Sequence, residues 1–145
     1  MISFYSEGIK FDLDAKLLKK KWLKQVAAHA GYAINELNYI FCNDNYLLDL
    51  NYKYLGHDYF TDVITFDNRE DTDNATVIGD IFISIDTVEA NGVEYGEGFE
   101  RELHRVMVHG LLHLVGYNDF SDADKSHMRA GEDSALELLS SMKAD

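Results

Sequence analysis

The chain has 145 residues, 46% of them hydrophobic and 12% aromatic, with a single cysteine. That is enough apolar material for one buried core, and it excludes both a disordered chain and an internal disulfide. Its formal charge of −13 is carried entirely by residues 61–145, where nineteen acids face six basic residues, and it excludes a general binder of polyanions.

Ile2 to Tyr5 alternates like a short strand. Asp14 reads as the N-cap of a helix ending near Gly31, with Leu17, Leu18, Trp22, Val26 and Ala30 as its apolar face. Lys16, Lys20 and Lys24 repeat every four residues and form a basic stripe, available to phosphates or simply solvated. Residues 36–42 read as a strand, and Cys42 at its end is a packing residue. A short helix with Leu47, Leu48 and Leu50 follows, stopped by Gly56. Thr61 to Phe66 is β-branched and short, a strand by composition, and Asn68 to Asn74 is a polar surface loop. Thr76 to Ile85 alternates with Val77, Ile81, Ile83 and Ile85 on one face of a central strand, and Gly79 within it marks a close backbone approach or a bulge. Residues 86–91 form a short helix, with turns at Asn91-Gly92 and Gly96-Glu97-Gly98.

Residues 98–115 carry helix signals, so His109 and His113, four apart, stand one above the other on one face. Two imidazoles so placed can share a metal ion at roughly 2.0–2.1 Å per bond. Gly116 permits the left-handed reversal that ends a helix, and Asp119, three residues later, is an oxygen ligand led back toward the histidines. The spacing has the skeleton of the zinc-protease pattern H-E-x-x-H-x-x-G-x-x-H. Gly110, however, stands where the protease glutamate takes its proton, which argues against peptide hydrolysis. Three protein ligands leave a position open, the arrangement of a catalytic metal site. Ser121-Asp122-Ala123-Asp124 opens a last helix over roughly 122–141.

Together these elements predict an α+β fold: a small mixed β-sheet with helices packed on it, a zincin-like metal helix and a C-terminal helix, forming one domain over 1–145. No apolar run could span a membrane and the start lacks a secretory signal, so a soluble cytoplasmic protein without a membrane partner is expected.

The stretch from His109 to Tyr117 resembles the H-G-x-L-H-L-x-G-Y-D-H signature of the YbeY family, bacterial ribosomal-RNA maturation factors described as metal-dependent endoribonucleases. Leu50-Asn51, Thr61 to Phe66 and Gly79-Asp80-Ile81 resemble further stretches of that family in the same order. The resemblance implies one divalent ion, zinc first, on His109, His113 and Asp119, and an endoribonuclease acting on single-stranded RNA. It further implies work at the small-subunit rRNA 3′ end, in maturation and ribosome quality control, with the small ribosomal subunit as partner. The family's third histidine falls on Asp119, and an arginine implicated in cleavage falls on Leu55. His57, two residues on, could reach the same space and is the candidate catalytic residue; Lys53, Lys20 and Lys24 are the candidate RNA contacts. The alternatives are a metal-stabilised ribosome-assembly factor with little or no catalysis and, more distantly, a zinc-protease relative. His29, His104 and His127 carry no motif and are expected to be packing or surface residues.

Overall fold

A computed structural model describes residues 1–71 and 74–144. Its elements are β1 (Ile2–Ser6), α1 (Lys16–His29), β2 (Ala33–Cys42), α2 (Asp44–Leu55), β3 (Val63–Asp67), β4 (Thr76–Ser84), α3 (Ile85–Glu94), α4 (Phe99–Leu114) and α5 (Asp122–Lys143). The strands lie in the order β1-β2-β4-β3, with β1, β2 and β4 parallel and β3 antiparallel to β4. This is the expected α+β arrangement around a small mixed sheet. A parallel pair needs a long crossover, and α1 supplies the one between β1 and β2.

Alternation along the central strand β4 decides what covers each face. Val77, Gly79, Ile81 and Ile83 are buried on the side that receives α4, and Trp22, Leu23 and Val26 of α1 and Met128, Ala135 and Leu139 of α5 join the same core. Phe82 points the other way, into a smaller cluster with Cys42, Leu47, Ile64 and Phe66 under α2. Two hydrogen bonds tie the helices to this core: Tyr39 Oη donates to the Met107 carbonyl at 2.8 Å, and Trp22 Nε1 to that of Ala135 at 2.7 Å.

Two glycines let α4 settle directly on the sheet. A Cβ at Gly79 would lie 2.7 Å from the Phe66 carbonyl oxygen and 2.9 Å from Leu114 Cδ1. One at Gly110 would lie 2.9 Å from Ile81 Cδ1 and 3.1 Å from Thr65 Oγ1. Gly79 is therefore a close-approach glycine, one of the two readings its sequence context offers.

The structure corrects several local expectations. Asp14 does not cap α1: Ala15 takes the cap position in the left-handed region, and the Asp14 carboxylate accepts from the buried Lys19 Nζ at 2.5 Å. A buried ammonium needs a counter-charge more than the helix needs a cap. The buried face of α1 is Lys19, Trp22, Leu23, Val26 and Ala27. Leu17, five residues from Trp22 and so turned off that face, is 83% exposed, and Ala30 lies beyond the helix end. Asn91-Gly92 is not a turn but part of α3, where Gly92 lets the helix touch the Gly98 carbonyl, 2.7 Å from a would-be Cβ. Ile85 begins α3 and does not end β4. Of the expected loop at 68–74, residues 72 and 73 lie outside the described residues.

Candidate metal centre and its cleft

The last two turns of α4 and the reversal after them build the centre. Gly116 takes φ 100°, and the Gly116 and Tyr117 amides close the helix end on the carbonyls of His113 and Leu112 at 3.2 and 2.9 Å. The reversal brings the Tyr117 carbonyl 3.1 Å from His113 Nδ1 and turns Asp119 back over the helix. His109 Nε2 and His113 Nε2 are 3.0 Å apart, and Asp119 Oδ2 lies 3.4 Å from His113 Nε2 and 3.8 Å from His109 Nε2.

The hydrogen bonds on the far side of each ring decide what those atoms can do. A backbone carbonyl only accepts, so His113 Nδ1 carries the proton and Nε2 presents a lone pair. His109 Nδ1 is 2.7 Å from Glu132 Oε2, a carboxylate held in place by Arg105 Nη1 at 3.0 Å from its other oxygen. His109 Nδ1–H therefore donates to Glu132, and its Nε2 also presents a lone pair. Two imidazole lone pairs and a carboxylate oxygen converge on one point, an arrangement that repels itself unless a proton or a metal ion sits among them. Burial pushes the His109 pKa down, but the carboxylates around it outweigh burial and raise it, so the point favours positive charge of either kind. The separations fit a single ion: two bonds of about 2.0–2.1 Å at a tetrahedral angle put their donor atoms roughly 3.3 Å apart. His109, His113 and Asp119 can thus hold a metal ion, all three donor atoms lying within 4.8 Å of one another.

Glu132 is the residue that sequence reasoning missed. Burial pushes its carboxyl pKa up, but the hydrogen bonds and charges of His109 and Arg105 outweigh burial and bring it below the ordinary value. Its signal is a glutamate on the buried face of α5, shared with Met128, Ala135, Leu136 and Leu139. Gly110 is explained by the packing of α4. The protease glutamate would have to grow from a point already filled by Ile81 and Thr65.

The three donor atoms open into a cleft of about 660 Å³. Leu55 and His57, from the end of α2 and the loop after it, line that cleft beside His109, His113 and Asp119. His57 is exposed and stacks on Tyr59, with Nδ1 3.0 Å from the Tyr59 hydroxyl. With that hydroxyl donating, the ring proton resides on Nε2. Asp62, at the foot of β3, lines the same space; burial raises its pKa, an effect that His109 opposes. The lysines stand apart from it. Lys53 is 3.6 Å from Asp49 on the exposed face of α2 and does not line the cleft, and neither do Lys20 and Lys24 of α1. His29, His104 and His127 lie outside it too: His104 is buried against Trp22, and His127 stacks on Tyr117 with centroids 4.3 Å apart. Among the described residues no helix is long and apolar enough to cross a membrane.

Comparison with known proteins converges on one family. The family profile described as Endoribonuclease YbeY matches residues 1–140. A Phocaeicola vulgatus protein named Endoribonuclease YbeY is 45% identical over 140 residues, covering 97% of this chain and 99% of its own length. A Cytophaga hutchinsonii protein of the same name is 47% identical over 137 residues, 94% of each chain. The solution structure of TM1509 from Thermotoga maritima superposes with a TM-score of 0.67 at 31% identity, covering 96% of this chain and 89% of that one.

Proposed function

Because the chain belongs to the YbeY family of endoribonucleases, we propose that it cleaves RNA in the cleft above His109, His113 and Asp119. The observation that carries this reading is the convergence of three acceptor atoms on one point at the floor of the cleft, with both histidine tautomers set from behind. We take the ion to be zinc, since two imidazoles and a carboxylate are donors that suit it. When bound, the ion would draw charge from a phosphodiester oxygen or a water and so favour attack at phosphorus.

The remaining chemistry falls to the chain's own side chains. Gly110 offers none, so proton transfer has to come from the cleft wall. His57 is exposed there, and in the tautomer that accepts from the Tyr59 hydroxyl its Nε2–H is suited to hydrogen-bond a phosphoryl oxygen or protonate a leaving oxygen. Asp62 is a carboxylate in the same space that can accept a proton. Leu55 adds no charge, which leaves the phosphoryl oxygens to His57 and the metal. The substrate in this reading is single-stranded ribosomal RNA at the small-subunit 3′ end, handled in the cytoplasm by one domain spanning 1–145.

Cleavage of a single-stranded rRNA fragment by the purified protein tests this, with zinc and with chelator. We expect cleavage only with metal. His109→Ala and His113→Ala should lose both stoichiometric metal and cleavage, and His57→Ala should keep full metal while losing roughly 10²–10⁴-fold in rate. Fully metallated protein that cleaves no RNA above the chelated control would sink the enzyme reading in favour of a metal-stabilised assembly factor.

A further inference from the structure

The charged residues lining the cleft are Asp62, Asp67 and Asp119, and no lysine or arginine lines it among the described residues. Arg69, on the loop after β3, is already folded onto Asp67 at 2.5 and 2.8 Å. Apart from a metal ion and the single His57 donor beside it, nothing in the cleft attracts phosphates, and its carboxylates repel them. What it offers is aromatic surface. His57 and Tyr59 lie stacked, centroids 5.1 Å apart and 19° between planes. Phe120, next to Asp119, lines the cleft and is 86% exposed, so it contributes almost nothing to the core.

The stacked pair is held in place. The buried Asn51 donates from Nδ2 to the Tyr59 carbonyl at 3.0 Å, and its backbone carbonyl accepts from the His57 amide at 3.3 Å. The Ser84 amide donates to the Asp62 carbonyl at 2.9 Å and pins the other end of the loop. A platform ordered before the ligand arrives spends little conformational entropy on binding.

We infer that this cleft grips RNA by its bases: unpaired nucleobases stack on the His57–Tyr59 pair and on Phe120, and phosphates beyond the one at the metal centre contribute little. The inference rests on the endoribonuclease reading and names what that site holds on its substrate. Bases present neutral π faces to which the surrounding carboxylates are indifferent. Stacking is also open only to bases that are not already stacked in a duplex.

Anisotropy of a fluorescent 2′-O-methyl hexanucleotide on the zinc-loaded protein tests it. Tyr59→Ala and Phe120→Ala should each weaken binding roughly 5- to 150-fold, the worth of one stacked base. Both side chains are exposed, so melting temperature and metal content should stay at wild-type values. Phe120→Trp should bind at least as well as wild type, whereas Phe120→Leu, apolar but without a π face, should fall with alanine. A hexanucleotide with abasic sites should bind wild type as weakly as the intact one binds protein carrying Tyr59→Ala and Phe120→Ala together. The plot of log K against log salt should be no steeper than about −1, since each single-strand phosphate contact contributes roughly −0.7. The inference fails if both alanine variants stay within twofold of wild type, if Phe120→Leu keeps full affinity, or if the slope corresponds to several phosphates. Cleavage is scored in parallel. Wild type that cleaves while the variants bind normally removes stacking alone, and wild type that binds through the aromatics without cleaving removes the endoribonuclease reading alone.

Discussion

Glu132 links the metal centre to the core, accepting from His109 with one oxygen and from Arg105 with the other. Such partners set ring orientation and ligand basicity, and losing one typically costs about 10–100-fold in metal affinity. Glu132→Gln, which keeps an acceptor but drops the charge, should therefore weaken zinc binding in a chelator competition within that range. A Glu132→Gln protein with wild-type zinc affinity would show that the ring is oriented without this carboxylate. His104 illustrates a different residue-scale effect. Burial drives its pKa down to about 4, helped by Lys19 and Lys143 and opposed by Glu100 and Asp14, and its Nε2 has no hydrogen-bond partner among the described residues. A folded-state pKa below the unfolded value means that the unfolded chain binds the extra proton. Stability from this site is thus complete above about pH 6.5 and lost as pH falls toward 4, on the order of 3 kcal/mol in all. His104→Phe should flatten the stability curve between pH 6.5 and 4, measured by denaturant unfolding. An unchanged acid limb would mean that other groups cause it.

At the scale of elements, the centre depends on how closely α4 lies on β3 and β4. Gly110→Ala would place a methyl 2.9 Å from Ile81 and 3.1 Å from Thr65 Oγ1, side-chain neighbours that can give a little. The overpacking cost of roughly 1–3 kcal/mol should outweigh the gain of about 1 kcal/mol in helix propensity. Gly79→Ala should cost more, because its methyl meets the Phe66 backbone oxygen at 2.7 Å. Equal melting temperatures for the two variants would contradict this ordering. The start of α5 is secured separately. Ser121 and Asp124 form a reciprocal capping box, and Ser121→Ala should lower stability by about 1 kcal/mol without touching metal content. Gly116 acts through the turn: its φ of 100° suits no other residue well, and the direction in which Asp119 returns depends on it.

For the molecule as a whole, a charge of −13 sets the terms on which RNA can approach. Cations outside the cleft then matter most for long substrates. We propose Lys53, Lys20 and Lys24 as the contacts that guide such RNA, and their joint reversal to glutamate should weaken binding of a long single strand. The salt slope should shrink by roughly 0.7 for each phosphate that the variant no longer neutralises. The hexanucleotide should be indifferent to the same changes. If long RNA binds the triple variant as it binds wild type, contact outside the cleft comes from other groups or from a protein partner.

Periodic and local features are legible in the amino-acid order: the strands with alternating patterns, the helix over residues 98–115, the Ser121 cap, the Gly56 and Gly116 stops, and the four- and ten-residue offsets that put His109, His113 and Asp119 within reach of one another. These depend on backbone geometry over a turn or two, which nearby residues dictate. Features arising from distant contacts are not legible there. Leu17 has the spacing of a buried residue and is exposed, because the rotation of α1 follows from Trp22 reaching the Ala135 carbonyl 113 residues away. Asp14 has the chemistry of a cap, and a buried lysine claims its carboxylate. The Asn91-Gly92 pair has the composition of a turn, and the loop before α4 presses against Gly92 inside a helix. Local spacing alone thus established that two imidazoles and a carboxylate could meet, and that no glutamate would stand at position 110. Why that position is glycine, which carboxylate backs His109 and which aromatic rings share the cleft were settled by packing, because each answer depends on which distant elements lie against α4.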